Sequence, residues 1–496
     1  MKRSLIAVAA LIAAALPVLG EAQTRGKDWV VLGMRLEPPN LDSTANAAAA
    51  IAEVTHYNIY ETLTRINELG AVGPGLAKSW TISPDGKTYT FALIENVKFS
   101  DGTPMTSADV KFSYTRAAAD NSTNPRKRYF TQIDKIDTPN AATVAVTLKA
   151  PSSFFLFNMG EPSAIVVSEK SAASNQTNPV GTGPFMLDSW QKGAIITLKR
   201  NPAYRDPASV ALQRVSYRII GDSAAQVAAV LAGDIDYMPI MGAPETLPQF
   251  FKDARFRVLV GTTEGETLLT LNNAKAPFND IRVRRALAHA IDRKAIIDGA
   301  MAGYGTPIGT HFAPHHPAYV DLVGTYPLDI AKAKALLKEA GVKDGTEVSL
   351  KLPPPEYARR GGEIVASQLR KIGLKVKIEP IEWAQWLDVV FKQTNFDMTI
   401  VSHVEPLDIG IYSQKPYYFN YNSPAFDEIW GKANTALTVE DQTKWLQAAQ
   451  RKLTEDAVVV WMFQLAKAGV ANAKLQGLWL NAPLFINDMT RVSWSN

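Results

Sequence analysis

Between Thr88 and Leu93 the sequence reads TYTFAL, with an apolar side chain at every second position after the turn signal Asp85-Gly86. That alternation predicts a strand with one buried face. Runs of the same kind predict strands at 143–149, 194–200, 215–220, 256–260, 267–271, 348–352, 374–378, 397–402 and 458–463. Helices announce themselves by period and cap. Asp329 precedes Ile330, Ala333, Leu337 and Ala340, which share one face, and Gly341 ends the run. Thr438 and Asp441 fit a capping box ahead of Trp445, Leu446, Ala449 and Leu453. Asp280 is expected to cap a helix whose apolar face is Val283, Leu287, Ala290, Ile291 and Ile297. Arg282, Arg284 and Arg285 then fall on its solvated outer face. Strands and helices in alternation argue an α/β fold with parallel pairing in part of the chain.

The N-terminus breaks this pattern. Lys2 and Arg3 are followed by an almost unbroken apolar stretch to Leu19, then by small residues at Gly20 and Ala22. This is the layout of a secretory signal peptide, with cleavage expected at Ala22/Gln23, and the stretch is shorter than the ~20 residues that span a bilayer. The mature chain is therefore expected to be exported. Cysteine is absent, so the chain has no disulfide, no thiol nucleophile and no lipid-modified N-terminal cysteine. A chain of 496 residues exceeds one ordinary domain. Its formal net charge of +4 is spread out, with no basic stripe to mark a nucleic-acid binder.

Motifs of enzyme chemistry are missing. Gly86-Lys87-Thr88 resembles the end of a phosphate-binding loop, but Thr81 stands where the upstream glycine is required. No G-x-S-x-G, H-E-x-x-H or helix-opening G-x-G-x-x-G occurs, and Ser189-Trp-Gln-Lys192 lacks the K-T-G partner of a penicillin-binding serine enzyme. His311, His315 and His316 could ligate a metal on a helix, but Pro314 and Pro317 argue for a loop, where they are expected to be polar surface. No metal and no cofactor are expected.

Four phrases, in order, carry a resemblance: GLAKSWTISPDGKTYTFALIENVKFSDGTPMTSADVKFSYTR from Gly75, PVGTGPFML from Pro179, FNDIRVRRALAHAIDRKAII from Phe278 and YPLDIAKAKALLKEAG from Tyr326. Together they resemble the family 5 extracellular solute-binding proteins, the dipeptide and oligopeptide receptors of ABC importers. The resemblance implies a two-lobe periplasmic binding protein closing like a clam shell, with an extra subdomain in lobe I. Lobe I is expected from 23–60, 179–270 and 470–496, its subdomain from 61–178, and lobe II from 271–469. It implies a monomeric, free periplasmic receptor that performs no chemistry and delivers a peptide or similar small polar solute to an inner-membrane permease. Opines, oligosaccharides, nickel chelates and haem are the alternative ligands within the fold; a secreted hydrolase is the alternative outside it.

The resemblance also implies site residues. Ala358-Arg359-Arg360 stands where peptide-binding relatives place a carboxylate-binding arginine, a task suited to the planar guanidinium fork. The amine partner is implied after the strand at 397–402, where Glu405 and Asp408 follow His403; His403 replaces the usual Trp, and no D-P pair follows. His403 reads either as a core histidine or as a ligand contact. Trp383, Trp386, Tyr412, Tyr417, Tyr418 and Phe419 flank this segment and could stack on a ligand or fill the core. Glu264 and Glu266, placed near the lobe crossover, are candidates for a cationic group.

Overall fold

A computed structural model describes residues 26–46 and 48–495, so the expected signal peptide and its cleavage point lie outside the described residues. The fold is α/β and two-lobed, threaded by an 11-stranded sheet. At its centre two long antiparallel strands, Phe256–Leu271 and Val459–Asn472, pair along nearly their whole length. On one side the sheet continues through Tyr237–Met238, Trp29–Met34, Arg214–Ile219, Ile195–Arg200 and Phe185–Gln191. On the other it continues through Met398–His403, Glu347–Leu352 and Lys375–Pro380, the last two pairs parallel. Each half has its own apolar core, one around Leu32, Ile196 and Tyr217, the other around Leu271, Leu350 and Met398. A separate four-stranded sheet, in which Thr88–Leu93 pairs with Thr143–Leu148, closes a third core around Phe91, Val110 and Val146.

The strands expected at 256–260 and 267–271 are one strand. The polar, glycine-bearing stretch Gly261-Thr-Thr-Glu-Gly-Glu266, left outside both expected strands, is part of it, and the strand continues through it from one half of the sheet to the other. The same holds for its partner, expected to stop at 463, which continues to Asn472. Between Thr262 and Glu266 the register shifts, so that Thr263, Glu264 and Gly265 oppose Leu465 alone. This bulge sits where the two halves of the sheet meet.

Local signals hold where burial follows sequence. The Asp329 carboxylate accepts from the Lys332 amide to start Ile330–Glu339, and the Thr438 hydroxyl accepts from the Asp441 amide to start Val439–Glu455. The helix capped by Asp280 ends at Ala290; Asp292 then caps a second helix, Arg293–Met301, which carries Ile297. Arg284 is not on the outer face. It is buried, and its guanidinium donates to the carbonyls of Phe278, Asp456 and Ala457, groups whose positions the helix period alone does not reveal.

PVGTGPFML has a packing reason. The Gly183 and Phe185 amides donate to the carbonyls of Ile59 and Asn58, both at 2.9 Å. A β-carbon at Gly181 would stand 2.0 Å from the Ile59 carbonyl oxygen, so only glycine lets the two backbones approach.

Candidate functional site

The bulge places a polar cluster inside the protein. Glu264 and Glu266 are 4% and 1% exposed, and the loop after Ile308 folds over them. His315 bridges Thr262 Oγ1 at 2.6 Å and Glu264 Oε1 at 2.7 Å. His311 Nε2 bonds Asp408 Oδ1 at 2.6 Å and lies 4.0 Å from Glu266 Oε1. His403 Nδ1 is 3.6 Å from Asp408 Oδ2, and its Nε2 bonds the Tyr418 hydroxyl at 3.0 Å. Burial, then the charges of Asp408 and Glu264, pushes the Glu266 carboxyl well above its usual range. Burial opposes ionisation of Asp408 too, but His311 and His403 outweigh it and hold that carboxyl low. The histidines expected on a polar surface are thus in a loop but not on the surface: His311 is fully buried, and burial pushes His316 down to about 3. Proline spacing identifies the loop; it says nothing of acids some 50 to 100 residues away that cover it.

Beside this cluster the two halves of the molecule enclose open space. One cavity, of about 280 Å³, is lined by Asn46, Arg126, Glu161, Glu405 and Phe485. A larger one, of about 900 Å³, is lined by Arg35 and Glu245 from one side, by Tyr357, Arg360 and Trp383 from the other, and by Phe485. Such volumes are typical of small-ligand sites. Arg126 lies 3.6 Å from Glu161, and Glu405 adds a second carboxyl, so the smaller cavity is lined by a basic group and by acidic ones.

The residues singled out from the sequence fall into two groups. Glu405 and Arg360 line cavities, but separate ones. Arg359 is committed elsewhere, donating to the carbonyls of Pro353 and Ile381. Asp408, His403 and Glu264 belong to the buried network described above. Tyr412 packs fully buried against Phe419 and Trp461, and Trp386 is buried with its indole N–H donating to Thr399 Oγ1 at 3.0 Å. Trp383, by contrast, is 39% exposed in the larger cavity. Arg126, Glu161 and Phe485 escaped sequence reasoning: Arg126 and Glu161 share no motif spacing, and Phe485 comes from a segment more than three hundred residues further on.

Glu161 supplies a pH test. Burial raises its carboxyl from 4.5 to about 7, against the pull of Arg126. The raised group contributes stability that is full below about 4.5, its unfolded value, and lost as pH rises through about 7. Urea unfolding of the parent chain and of Glu161→Gln should therefore diverge: between pH 4.5 and 8 the parent loses on the order of 3 kcal/mol relative to the variant. An unchanged difference at both ends of that range would contradict a buried, proton-holding Glu161.

Comparison with known proteins places this architecture. Residues 71–425 match the family model for bacterial extracellular solute-binding proteins, family 5. The glutathione-binding protein GsiB of Salmonella typhi is 31% identical over 358 residues, covering 71% of this chain and 68% of its own. Among solved structures, the periplasmic binding protein AgaA of A. tumefaciens R10, in complex with agropinic acid, is 26% identical with a TM-score of 0.75, covering 94% of this chain and 99% of its own. DppA of Helicobacter pylori, an ABC transporter-associated periplasmic binding protein in complex with the peptide STSA, is 25% identical with a TM-score of 0.75, covering 94% and 98%. Among the described residues no helix is long and apolar enough to cross a membrane. With a lobed α/β sheet, inter-lobe cavities and a family match over most of its length, the chain belongs to the bacterial extracellular solute-binding proteins of family 5.

Proposed function

We propose that this chain is the periplasmic receptor of an ABC importer, capturing a peptide-like solute between its lobes and handing it to an inner-membrane permease. The observation that carries this reading is the larger cavity, lined from both halves of the molecule by Arg35, Glu245 and Arg360 together with Tyr357 and Trp383. A peptide or glutathione presents carboxylate, ammonium and amide groups, and each needs a partner once water is excluded. Binding is expected to stabilise the form in which the halves close, with the bulge in the crossing strands as the flexing point, and the closed form to dock on the permease. No bond is broken: the family binds solutes. AgaA is in complex with agropinic acid, so an opine is the second reading.

Thermal-shift screening decides between them. A ligand that binds only the folded chain adds about 2.7 kcal/mol of stability at 100 times its dissociation constant. Glutathione, dipeptides and tripeptides should include the compounds that raise the melting temperature. A shift with opines alone would move the assignment to the second reading, and shifts confined to oligosaccharides, haem or nickel chelates would overturn both.

A further inference from the structure

We propose that Glu266, His311 and Asp408 form a binding site for a resident divalent transition-metal ion of the zinc class, set into the wall of the solute cleft, where Asp408 also borders a cavity shared with Glu405. Each of the three offers one ligand atom, and these atoms lie within 4.8 Å of one another. All three come from different parts of the fold: Glu266 from the crossing strand beside the bulge, His311 from the loop over it, and Asp408 from the segment after Met398–His403. Imidazole and carboxylate together are the donor set of zinc and its neighbours.

Three observations point to an ion rather than to a closed hydrogen-bond network. First, Glu266 is 1% exposed and its Oε2 has no hydrogen-bond partner among the described residues, an expensive arrangement that a bound ion would relieve. Second, within 4.0 Å of Glu266 and Asp408 the only cationic groups among the described residues are imidazoles, so three buried carboxyls, Glu264 included, share a pocket without a lysine or arginine in contact. Third, the outer groups are already arranged as metal sites arrange them. His311 Nδ1 is 3.3 Å from the Tyr412 hydroxyl, which can accept its N–H and leave Nε2 free to ligate. The second oxygen of Asp408 faces His403 Nδ1, and His403 is oriented in turn by Tyr418.

Zinc bonds to nitrogen and oxygen are ~2.0–2.2 Å, so tetrahedral ligands stand about 3.4 Å apart. The 4.0 Å between Glu266 and His311 is close to that spacing; the 2.6 Å between His311 and Asp408 has to open as the ion replaces the shared proton. The ion would pin the segment that carries Glu405 to the crossing strand, making one wall of the cleft rigid before solute arrives.

The test uses the untagged, chelator-stripped chain titrated with zinc chloride alone, by calorimetry and by native mass spectrometry. One zinc per chain, retained through gel filtration, is expected. Glu266→Gln is the decisive variant, because the oxygen it alters has no partner to lose, and it should weaken zinc binding by ~100-fold or more; Asp408→Asn should do the same. His403→Phe, removing only an orienting group, should cost about 10- to 100-fold. Cobalt in place of zinc should show the visible absorption of a tetrahedral site, lost in Glu266→Gln. Circular dichroism melting checks that each variant folds. Failure to bind stoichiometric zinc, or binding unchanged in both Glu266→Gln and Asp408→Asn, overturns the site. The two readings fail separately: the thermal-shift panel, run without added metal, reads solute capture, and the zinc titration, run without solute, reads the ion site.

Discussion

Replacing Arg205 with alanine should cost about 3–5 kcal/mol of folding stability, the largest loss expected from any single truncation considered for this chain. Its guanidinium grips Glu61 with two bonds, 2.6 Å to Oε2 and 2.7 Å to Oε1, and Glu61 is 3% exposed. The same carboxylate accepts from Thr182 Oγ1 at 3.0 Å, in the loop where Gly181 presses on Ile59. Removing the arginine leaves a buried negative charge with one hydroxyl partner. The magnitude comes from that stranded charge and not from the pair itself, which in exchange for apolar residues is often neutral. Urea unfolding separates these causes: Arg205→Ala alone should be severe, and Arg205→Met combined with Glu61→Leu should recover much of the loss. If the single variant unfolds within 1 kcal/mol of the parent, the pair is not anchoring this junction.

Solute affinity should be as sensitive at two cleft residues. Arg360→Ala and Glu405→Gln are each expected to cost ~2–5 kcal/mol in binding, roughly 30- to several-thousand-fold, once closure has taken their charges out of water. Arg359→Ala should be mild, because its guanidinium serves the carbonyls of Pro353 and Ile381. Adjacent helix residues face different directions, and here only Arg360 reaches a cavity. Charges that stay at a wet rim contribute well under ~1 kcal/mol, so the size of the effect reports whether closure buries them. Isothermal titration with the solute found by thermal shift decides it. If Arg360→Ala and Glu405→Gln both bind like the parent, neither charge meets the solute, which is then held by neutral contacts, with Trp383 and Tyr357 the first to test.

Caps and one-faced helices were legible because they depend on neighbours in sequence: Asp329 and Thr438 each satisfy an amide three residues on. The four phrases pointed to the family for reasons the fold explains, as with Gly181 under the Ile59 carbonyl. What stayed hidden depends on distant partners. Thr263, Glu264 and Glu266 fall between the two expected strands because strands rarely bury so much polarity, and Thr263 and Glu264 are met by Gln464 and His315, partners far away in sequence. Arg126, Glu161, Glu405 and Phe485 come to line one cavity only after the halves assemble. Arg284 illustrates the same limit inside a helix: its position in the period is visible, but two of the three carbonyls that draw it inward are more than a hundred residues further on.

The pairing of the two crossing strands also governs the order in which the molecule can be completed. Val459–Asn472 is the sole sheet neighbour of Phe256–Leu271 on one edge and joins it to Tyr237–Met238 on the other. Until this late segment emerges, the sheet is two fragments, and a 16-residue strand presents an unpaired edge of the kind that seeks other chains. A chain synthesised from its N-terminus, or threaded across a membrane in that direction, therefore holds both lobes unfinished until almost its last residues arrive. A chaperone that shields that edge would act on nearly the whole of biogenesis, and a premature stop anywhere before Val459 leaves neither lobe whole.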